Sequence, residues 1–114
     1  MISIEPGAIQ QQIDRMKDKE VYIHLEMTTG AYAGHHDHTK LTASAFITNA
    51  KLCYTRGSIE GSGPYRIGLK TEQGWIYAQG LTHWDETEKE RLITAGHDID
   101  GKLVVALQIS TEPF

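Results

Sequence analysis

Residues 61–81 read GSGPYRIGLKTEQGWIYAQGL, and this stretch predicts a β-hairpin on which the rest of the sheet depends. The opening Gly-Ser-Gly-Pro interrupts any regular element that precedes it. Apolar and polar side chains alternate over residues 65–70, which is the period of a half-buried strand. Residues 71–74 predict the turn, because the glycine that ends them can take a positive φ. The return strand carries Trp75 and Tyr77 two residues apart, so both side chains lie on one face of the hairpin.

The same alternation predicts further strands on both sides of this hairpin. They fall at residues 21–27, 41–48, 51–56 and 102–110. The last of them has apolar side chains on both faces, which indicates a central strand that is covered on both sides. Asn49 follows the second predicted strand and indicates a turn or a bulge.

Two helices are predicted to cover the sheet. The first spans residues 1–19, with Pro6 in its first turn and its apolar side chains on one stripe. The second is short: Asp85 and Glu88 have the spacing of a capping box, and Gly96 would end the helix. The expected fold is therefore α+β and mainly β, a curled antiparallel sheet or partly open barrel with an N-terminal helix and a short second helix.

Length and charge limit the classes of protein that fit. A chain of 114 residues predicts a single domain, residues 1–114. The net charge is −4 and the basic residues are scattered, so neither nucleic acid nor a membrane surface is an expected partner. We expect no membrane-spanning segment and no secretory signal. The single Cys53 fits a reducing cytoplasm. We expect Cys53 to be a buried structural thiol, because nothing nearby in the sequence would activate it.

His24 and Glu26 are neighbours on the polar face of the strand at residues 21–27. An imidazole oriented by a carboxylate can perform acid–base chemistry, so this pair is a weak candidate for catalysis. The competing interpretation, which we favour, is a solvated polar face.

Imidazoles and a carboxylate also cluster in the run His35-His36-Asp37-His38. Only His36 and His38 would share one face of a strand, and they are the weak candidates for metal ligands. A dedicated metal site, adventitious metal affinity and a plain solvated loop all stay open. We expect no dedicated metal site and no cofactor.

A ligand pocket could form where aromatic and polar side chains of the later strands meet. The weak candidates for ligand binding are Tyr65, Arg66, Trp75, Tyr77, Trp84 and His97. The competing interpretation, which we favour, places the aromatic side chains in the core.

Several strings of residues together resemble a known family. They are VYIHLE at 21–26, GPYRIGLKTE at 63–72, GWIYA at 74–78, AGH at 95–97, and GKL at 101–103 with QIS at 108–110 and the final Pro-Phe. The chain is similar, over nearly its whole length, to the YojF-like family of small proteins from Bacillus and its relatives. The resemblance implies a mostly β fold and a cytoplasmic protein whose gene lies beside that of a deacetylase of bacillithiol biosynthesis. It transfers no catalytic residue, and the histidine run at 35–38 is not a feature of the family.

Three functions fit these observations. The first, which we favour, is a non-catalytic accessory or binding protein. It would be a partner of the neighbouring-gene deacetylase and would be linked to low-molecular-weight thiol metabolism. The second is a small-molecule-binding protein, and the third is a small enzyme that uses His24 and Glu26. A homo-oligomer, a dimer, is also expected, because exposed sheet edges and apolar faces commonly meet in such interfaces.

Overall fold

A computed structural model describes residues 1–29 and 43–114 as an antiparallel sheet with one helix packed on it. The elements are β1 (Ile2–Ser3), α1 (Pro6–Met16), β2 (Glu20–Thr29), β3 (Ala43–Glu60), β4 (Tyr65–Thr71), β5 (Gly74–Leu81), β6 (His83–Trp84), β7 (Arg91–His97) and β8 (Leu103–Ser110). The strand order is β1-β6-β7-β8-β2-β3-β4-β5, and every neighbouring pair is antiparallel. The mainly β class and the curled sheet are confirmed. The run His35–His38 lies outside the described residues.

The central hairpin forms as predicted. β4 and β5 pair from Tyr65 to Leu81, and Thr71 opposes Gly74 across the turn. Gly74 has φ +141, and the Thr71 hydroxyl donates a hydrogen bond to the Gly74 carbonyl at 2.9 Å. β8 lies between β7 and β2 with buried residues on both faces, which confirms the predicted central strand.

The long strand β3 gives the sheet its curl. Its first half pairs with β2 and its second half pairs with β4, so one strand joins two differently oriented parts of the sheet. A bulge lies within the half that pairs with β2: Ile23 opposes Ala50 and Leu25 opposes Ile47, which leaves two β3 residues opposite one β2 residue. Asn49, in the bulge, has φ +53. Bulges bend a strand and increase its twist, so the bulge predicted near Asn49 is confirmed and contributes to the curl.

The helix α1 covers the inner side of this curl. Ile9, Ile13 and Met16 are fully buried and form the predicted apolar stripe. The Gln10 side chain fixes the helix to β3: its amide nitrogen donates to the Gly57 carbonyl, and its oxygen accepts the Ile59 N–H, each at 3.0 Å. The helix is shorter than predicted because the residues before Pro6 instead form β1, which pairs with β6.

The predicted second helix is wrong. Residues 85–90 form turns, and the following residues form β7, which pairs with β8 along its whole length. The Asp85 carboxylate accepts hydrogen bonds from the Thr87 N–H at 3.0 Å and the Thr87 hydroxyl at 2.6 Å, which closes a turn and lowers the Asp85 pKa. Thr94 is buried and its hydroxyl donates to the Leu107 carbonyl at 2.8 Å. Sheet pairing outweighs a helix that would be marginal at this length.

Two predictions of side-chain direction are also wrong. Alternation over residues 21–27 predicts that Met27 faces the core together with Val21, but Met27 is 52% exposed, because the inner face of β2 and β3 continues beyond the part of the core that α1 covers. Cys53 is exposed, whereas the next residue, Tyr54, is fully buried. In the described residues, no helix is long and apolar enough to cross a membrane.

Candidate functional site

The outer face of β3, β4 and β5 carries the most distinctive exposed chemistry of the described residues. Strand register places its side chains in three cross-strand rows: Arg56, Lys70 and Trp75; Ser58, Gly68 and Tyr77; Glu60, Arg66 and Gln79. We call this surface the hairpin face. The opposite side of the same strands carries Ile67, Leu69 and Ala78, which belong to the core. Strand alternation therefore separates an apolar inner surface from an aromatic and cationic outer one.

Two aromatic rings stand exposed on the hairpin face. Trp75 is 46% exposed and Tyr77 is 50% exposed. The two ring planes are within 4° of parallel, and their centroids are 5.6 Å apart. The Tyr77 ring lies over Gly68, where an added Cβ atom would be 2.9 Å from a ring carbon of Tyr77. A side chain at position 68 would displace this ring, which explains why a glycine lies within the strand.

The hairpin face carries three cationic side chains. The ion pairs in the described parts of the chain are His24–Glu26 and Lys51–Glu20, so Arg56, Arg66 and Lys70 are without one there. The Arg66 guanidinium lies 5.0 Å from the centroid of the Tyr77 ring, in a cation–π contact. The face thus holds three cations and the single carboxylate of Glu60 on a chain with a net charge of −4.

Shallow grooves follow this surface. One of about 180 Å³ runs from Asp14 and Lys17 at the end of α1 to Trp75, and one of about 130 Å³ lies beside Tyr77. The two share Arg56, Ser58 and Trp75 as lining residues, so they are adjacent. The aromatic rings form the sides of open grooves on the sheet surface.

The structure divides the predicted ligand-binding residues among three places. Arg66, Trp75 and Tyr77 come together on the hairpin face. Tyr65 packs against the core and Trp84 is buried, so the interpretation of the aromatics as core residues is right for these two and wrong for Trp75 and Tyr77. Arg56 and Lys70 are not among the predicted ligand-binding residues, because only the register of β3 against β4 shows that they share this face.

His97 belongs to a different group. It lies beside His83, which is not among the predicted site residues, and the two ring centroids are 5.0 Å apart. The two residues are on different strands, and their spacing in the sequence does not predict that they meet. The pairing of β6 with β7, in which His83 opposes Ala95, brings them together.

The predicted pair His24 and Glu26 is in contact. Nε2 of His24 lies 3.5 Å from Oε2 of Glu26, and both side chains are mostly buried. The Phe114 ring stands edge-on to His24, with centroids 6.2 Å apart. The Asn49 side chain holds the Phe114 backbone, accepting its N–H at 2.7 Å. In residues 1–29 and 43–114, no group of three or more His, Cys, Asp and Glu side chains could hold a metal ion.

Comparison with known proteins assigns the chain to a family. Residues 3–114 match the family described as "Protein of unknown function (DUF1806)". The chain belongs to this family. It is 52% identical over 106 residues to the "Uncharacterized protein YojF" of Bacillus subtilis (strain 168), which covers 93% of this chain and 91% of that protein. The resemblance found in the sequence is confirmed.

A solved structure supports the same placement. The crystal structure of the Bacillus subtilis YojF protein superposes with a TM-score of 0.82 at 47% identity, covering 99% of this chain and 95% of that chain. The Bacillus subtilis YojF protein therefore shares this curled sheet, and the description of the DUF1806 family names no activity. Any function must be argued from the surface of the molecule.

Proposed function

We propose that this DUF1806 protein is a non-catalytic, cytoplasmic accessory protein that binds another protein through its hairpin face. The observation that carries the proposal is the exposed pair of Trp75 and Tyr77 on one face with the cations Arg56 and Arg66. The partner we propose is the deacetylase of bacillithiol biosynthesis whose gene neighbours that of the family, as the sequence resemblance suggests.

The residue types on the hairpin face are those of binding hot spots. Trp, Tyr and Arg are the residues whose truncation most often weakens protein interfaces, and exposed contiguous patches of this kind are uncommon in monomers. Trp75, Tyr77, Arg56 and Arg66 supply all three types on one rigid sheet surface. A sheet surface holds such side chains in place, which reduces the entropy lost on binding.

The shape of the face favours a protein over a small molecule. Small-molecule sites are usually cavities of roughly 300–1,000 Å³ that enclose most of the ligand. The two grooves beside Trp75 are about 180 and 130 Å³, a third beside Arg66 and Gln79 is about 270 Å³, and both aromatic rings are about half exposed. A flat partner surface can cover these rings, whereas a small ligand would leave much of its own surface in water.

Charge defines the chemistry of the partner surface. Arg56, Arg66 and Lys70 outnumber Glu60 on the hairpin face, so a partner patch rich in Asp and Glu is complementary to it. Charges on the rim of an interface act mainly on the association rate and are screened by salt over about 10 Å at 0.1 M. Binding should therefore weaken as ionic strength rises.

Replacing Trp75 and Tyr77 with alanine is expected to weaken binding of the neighbouring-gene deacetylase about 30-fold or more for each residue, since a hot-spot truncation costs about 2 kcal/mol. Isothermal titration calorimetry with the purified deacetylase measures the change, and Arg66→Glu tests the charge contribution. Ile99→Ala is the matched control, because Ile99 is fully exposed away from the hairpin face.

Two outcomes would contradict this proposal in different ways. If the wild-type protein and the deacetylase do not associate at low salt, the proposed partner is wrong. If they associate and Trp75→Ala and Tyr77→Ala bind like Ile99→Ala, the hairpin face is not the docking surface.

A separate apolar surface supports the expected homodimer. Met27 and Ile47 are both about half exposed on neighbouring strands, and Met27 pairs with Ala45. The β3 residues before Tyr54 have a paired edge only toward β2 within the described chain, so their other edge can accept a strand. A twofold axis would place two such edges and apolar strips against each other.

Size-exclusion chromatography with light scattering is expected to give the mass of a dimer for the wild-type protein. Ile47→Glu should give a monomer, because it buries an unpaired charge at the interface. Thr55→Glu in the other half of β3 is the control and should remain dimeric. A monomeric wild-type protein at high concentration would show that the apolar strip has another role.

A further inference from the structure

We propose that His83 and His97 form a binding site for a divalent transition metal that prefers imidazole, with Zn²⁺ as the representative ion. The two residues lie on β6 and β7, and neither belongs to the hairpin face. This inference is therefore independent of the proposed docking function. It rests on the separation of two ring nitrogens.

Close backbone packing brings the two histidines together. Gly80 has φ +90, and its carbonyl lies so near Gly96 that no Cβ atom would fit there. The chain can thus turn from β5 into β6, where the Thr82 N–H donates to the Ala95 carbonyl at 2.9 Å. His83 opposes Ala95 and so lies diagonally from His97, on the same side of the sheet.

The nitrogen atoms have the separation of two ligands of one tetrahedral ion. Nδ1 of His83 and Nδ1 of His97 are 3.3 Å apart. An ion at the usual Zn–N distance of about 2.05 Å from both would subtend an angle of roughly 107°, close to the tetrahedral value. The same arrangement places the ring centroids about 5.2 Å apart, and the observed distance is 5.0 Å.

The same separation also admits a direct hydrogen bond between the two rings when no ion is bound. A linear N–H···N bond with this separation of nitrogens would place the centroids about 5.6 Å apart. The observed 5.0 Å shows that the rings are inclined to the line that joins the two Nδ1 atoms. The rings are inclined by 80° to each other, so each presents an in-plane lone pair without steric conflict with the other.

Thr82 positions the pair. Its hydroxyl oxygen lies 2.7 Å from Nδ1 of His83 and accepts the His97 N–H at 3.1 Å. When an ion takes the lone pair of His83, the Thr82 hydroxyl has the Ala95 carbonyl, 3.4 Å away, as another acceptor. Groups beside a ligand that fix its orientation typically change metal affinity 10–100-fold, so we assign Thr82 a positioning role.

The site has an open coordination sphere. Within the described residues, His83 and His97 have no third His, Cys, Asp or Glu side chain beside them that would complete it. Water or a donor group of a bound molecule would fill the remaining positions, as in metal sites that exchange ligands. Imidazole ligands select Zn²⁺, Ni²⁺ and Cu²⁺ over Mg²⁺ and Ca²⁺, so selectivity among these ions is part of the proposal.

The test uses the full chain without an affinity tag and with His35→Ala, His36→Ala and His38→Ala, so that no histidine of this run can bind the added ion. Calorimetric titration with Zn²⁺ should show one ion per chain, and Mg²⁺ should show no binding. His83→Ala and His97→Ala should each lower the Zn²⁺ affinity by at least about ten-fold, whereas His24→Ala should leave it unchanged.

Imidazole ¹⁵N resonances of the variant that keeps both histidines give a second readout that does not depend on further substitutions. Zn²⁺ should shift the Nδ1 signals of His83 and His97 and leave those of His24 in place. Zn²⁺ binding that leaves the His83 and His97 signals unmoved would overturn the proposal, and so would no binding at all. Thr82→Val should lower the affinity less than loss of either histidine.

Discussion

Gly96→Ala is expected to destabilise the fold by at least about 3 kcal/mol, or to prevent folding. An added Cβ atom at this position would collide with the carbonyl group of Gly80 and would lie 2.6 Å from Cγ1 of Val105. Overpacking usually costs about 1–3 kcal/mol when side chains can adjust, and here the obstructing group is backbone. The total stability of a domain is only about 5–15 kcal/mol, so this loss is a large part of it. Urea denaturation followed by tryptophan fluorescence measures it.

Gly7→Ala provides the matched control for this substitution. Gly7 lies in α1, and a Cβ atom there would have no neighbour within 4 Å. Alanine has a higher helix propensity than glycine by about 0.8–1.0 kcal/mol in a helix interior, so this variant should be as stable as the wild type or slightly more stable. If Gly96→Ala unfolds at the same urea concentration as Gly7→Ala, the crossing of the two backbones is not as close as the structure indicates.

The sequence predicts the parts of the fold that depend on local periodicity. The hairpin at residues 65–81 follows from alternation and a glycine turn, and the stripe on α1 follows from helical spacing. β7 escapes prediction because Leu92, Ile93 and Ala95 also fit a short helical patch. Its strand conformation is decided by β8, with which it pairs, and no local pattern carries that information.

The candidate site was predicted only in part, because local patterns do not show which strands pair. That Trp75 and Tyr77 share a face follows from strand alternation alone, and their stacking confirms it. Which face is buried depends on where α1 packs, so their exposure was not predictable. The approach of Arg56 to these rings, and of His83 to His97, depends on strand register between residues that are distant in sequence.

The bulge at Asn49 explains the wrong prediction for Cys53. Before the bulge, the residues of β3 that face the core side are odd-numbered, as Ile47 opposite Leu25 shows. The extra residue changes the phase, so that Tyr54 is buried and Cys53 is exposed. A one-residue change in phase exchanges the faces of the side chains that follow, here as far as Tyr54, after which a second register shift precedes Arg56. A turn or bulge predicted at Asn49 does not by itself say which of the two occurs.

This change of phase gives the second large expected effect: Tyr54→Ala should cost about 3–5 kcal/mol, whereas Cys53→Ala should change stability by less than about 0.5 kcal/mol. Tyr54 is fully buried, and its hydroxyl donates a hydrogen bond to the Ile13 carbonyl near the end of α1. Its own carbonyl accepts the Asp18 N–H at 2.9 Å, just beyond the helix. One residue thus fixes the end of α1 to the sheet.

Tyr54→Phe separates the hydroxyl from the ring. Burial, with a smaller contribution from the Asp14 carboxylate, raises the pKa of Tyr54, so the hydroxyl stays protonated and remains a donor across the ordinary pH range. Lys17 N–H bonds to the Asp14 carbonyl, so without the hydroxyl the Ile13 carbonyl would lose the donor it has at the helix end. Tyr54→Phe should therefore cost about 1–3 kcal/mol, between the other two variants. A Cys53→Ala variant that is less stable in urea than Tyr54→Ala would mean that β3 keeps its original phase through residue 54, and that the bulge does not set which side chains reach α1.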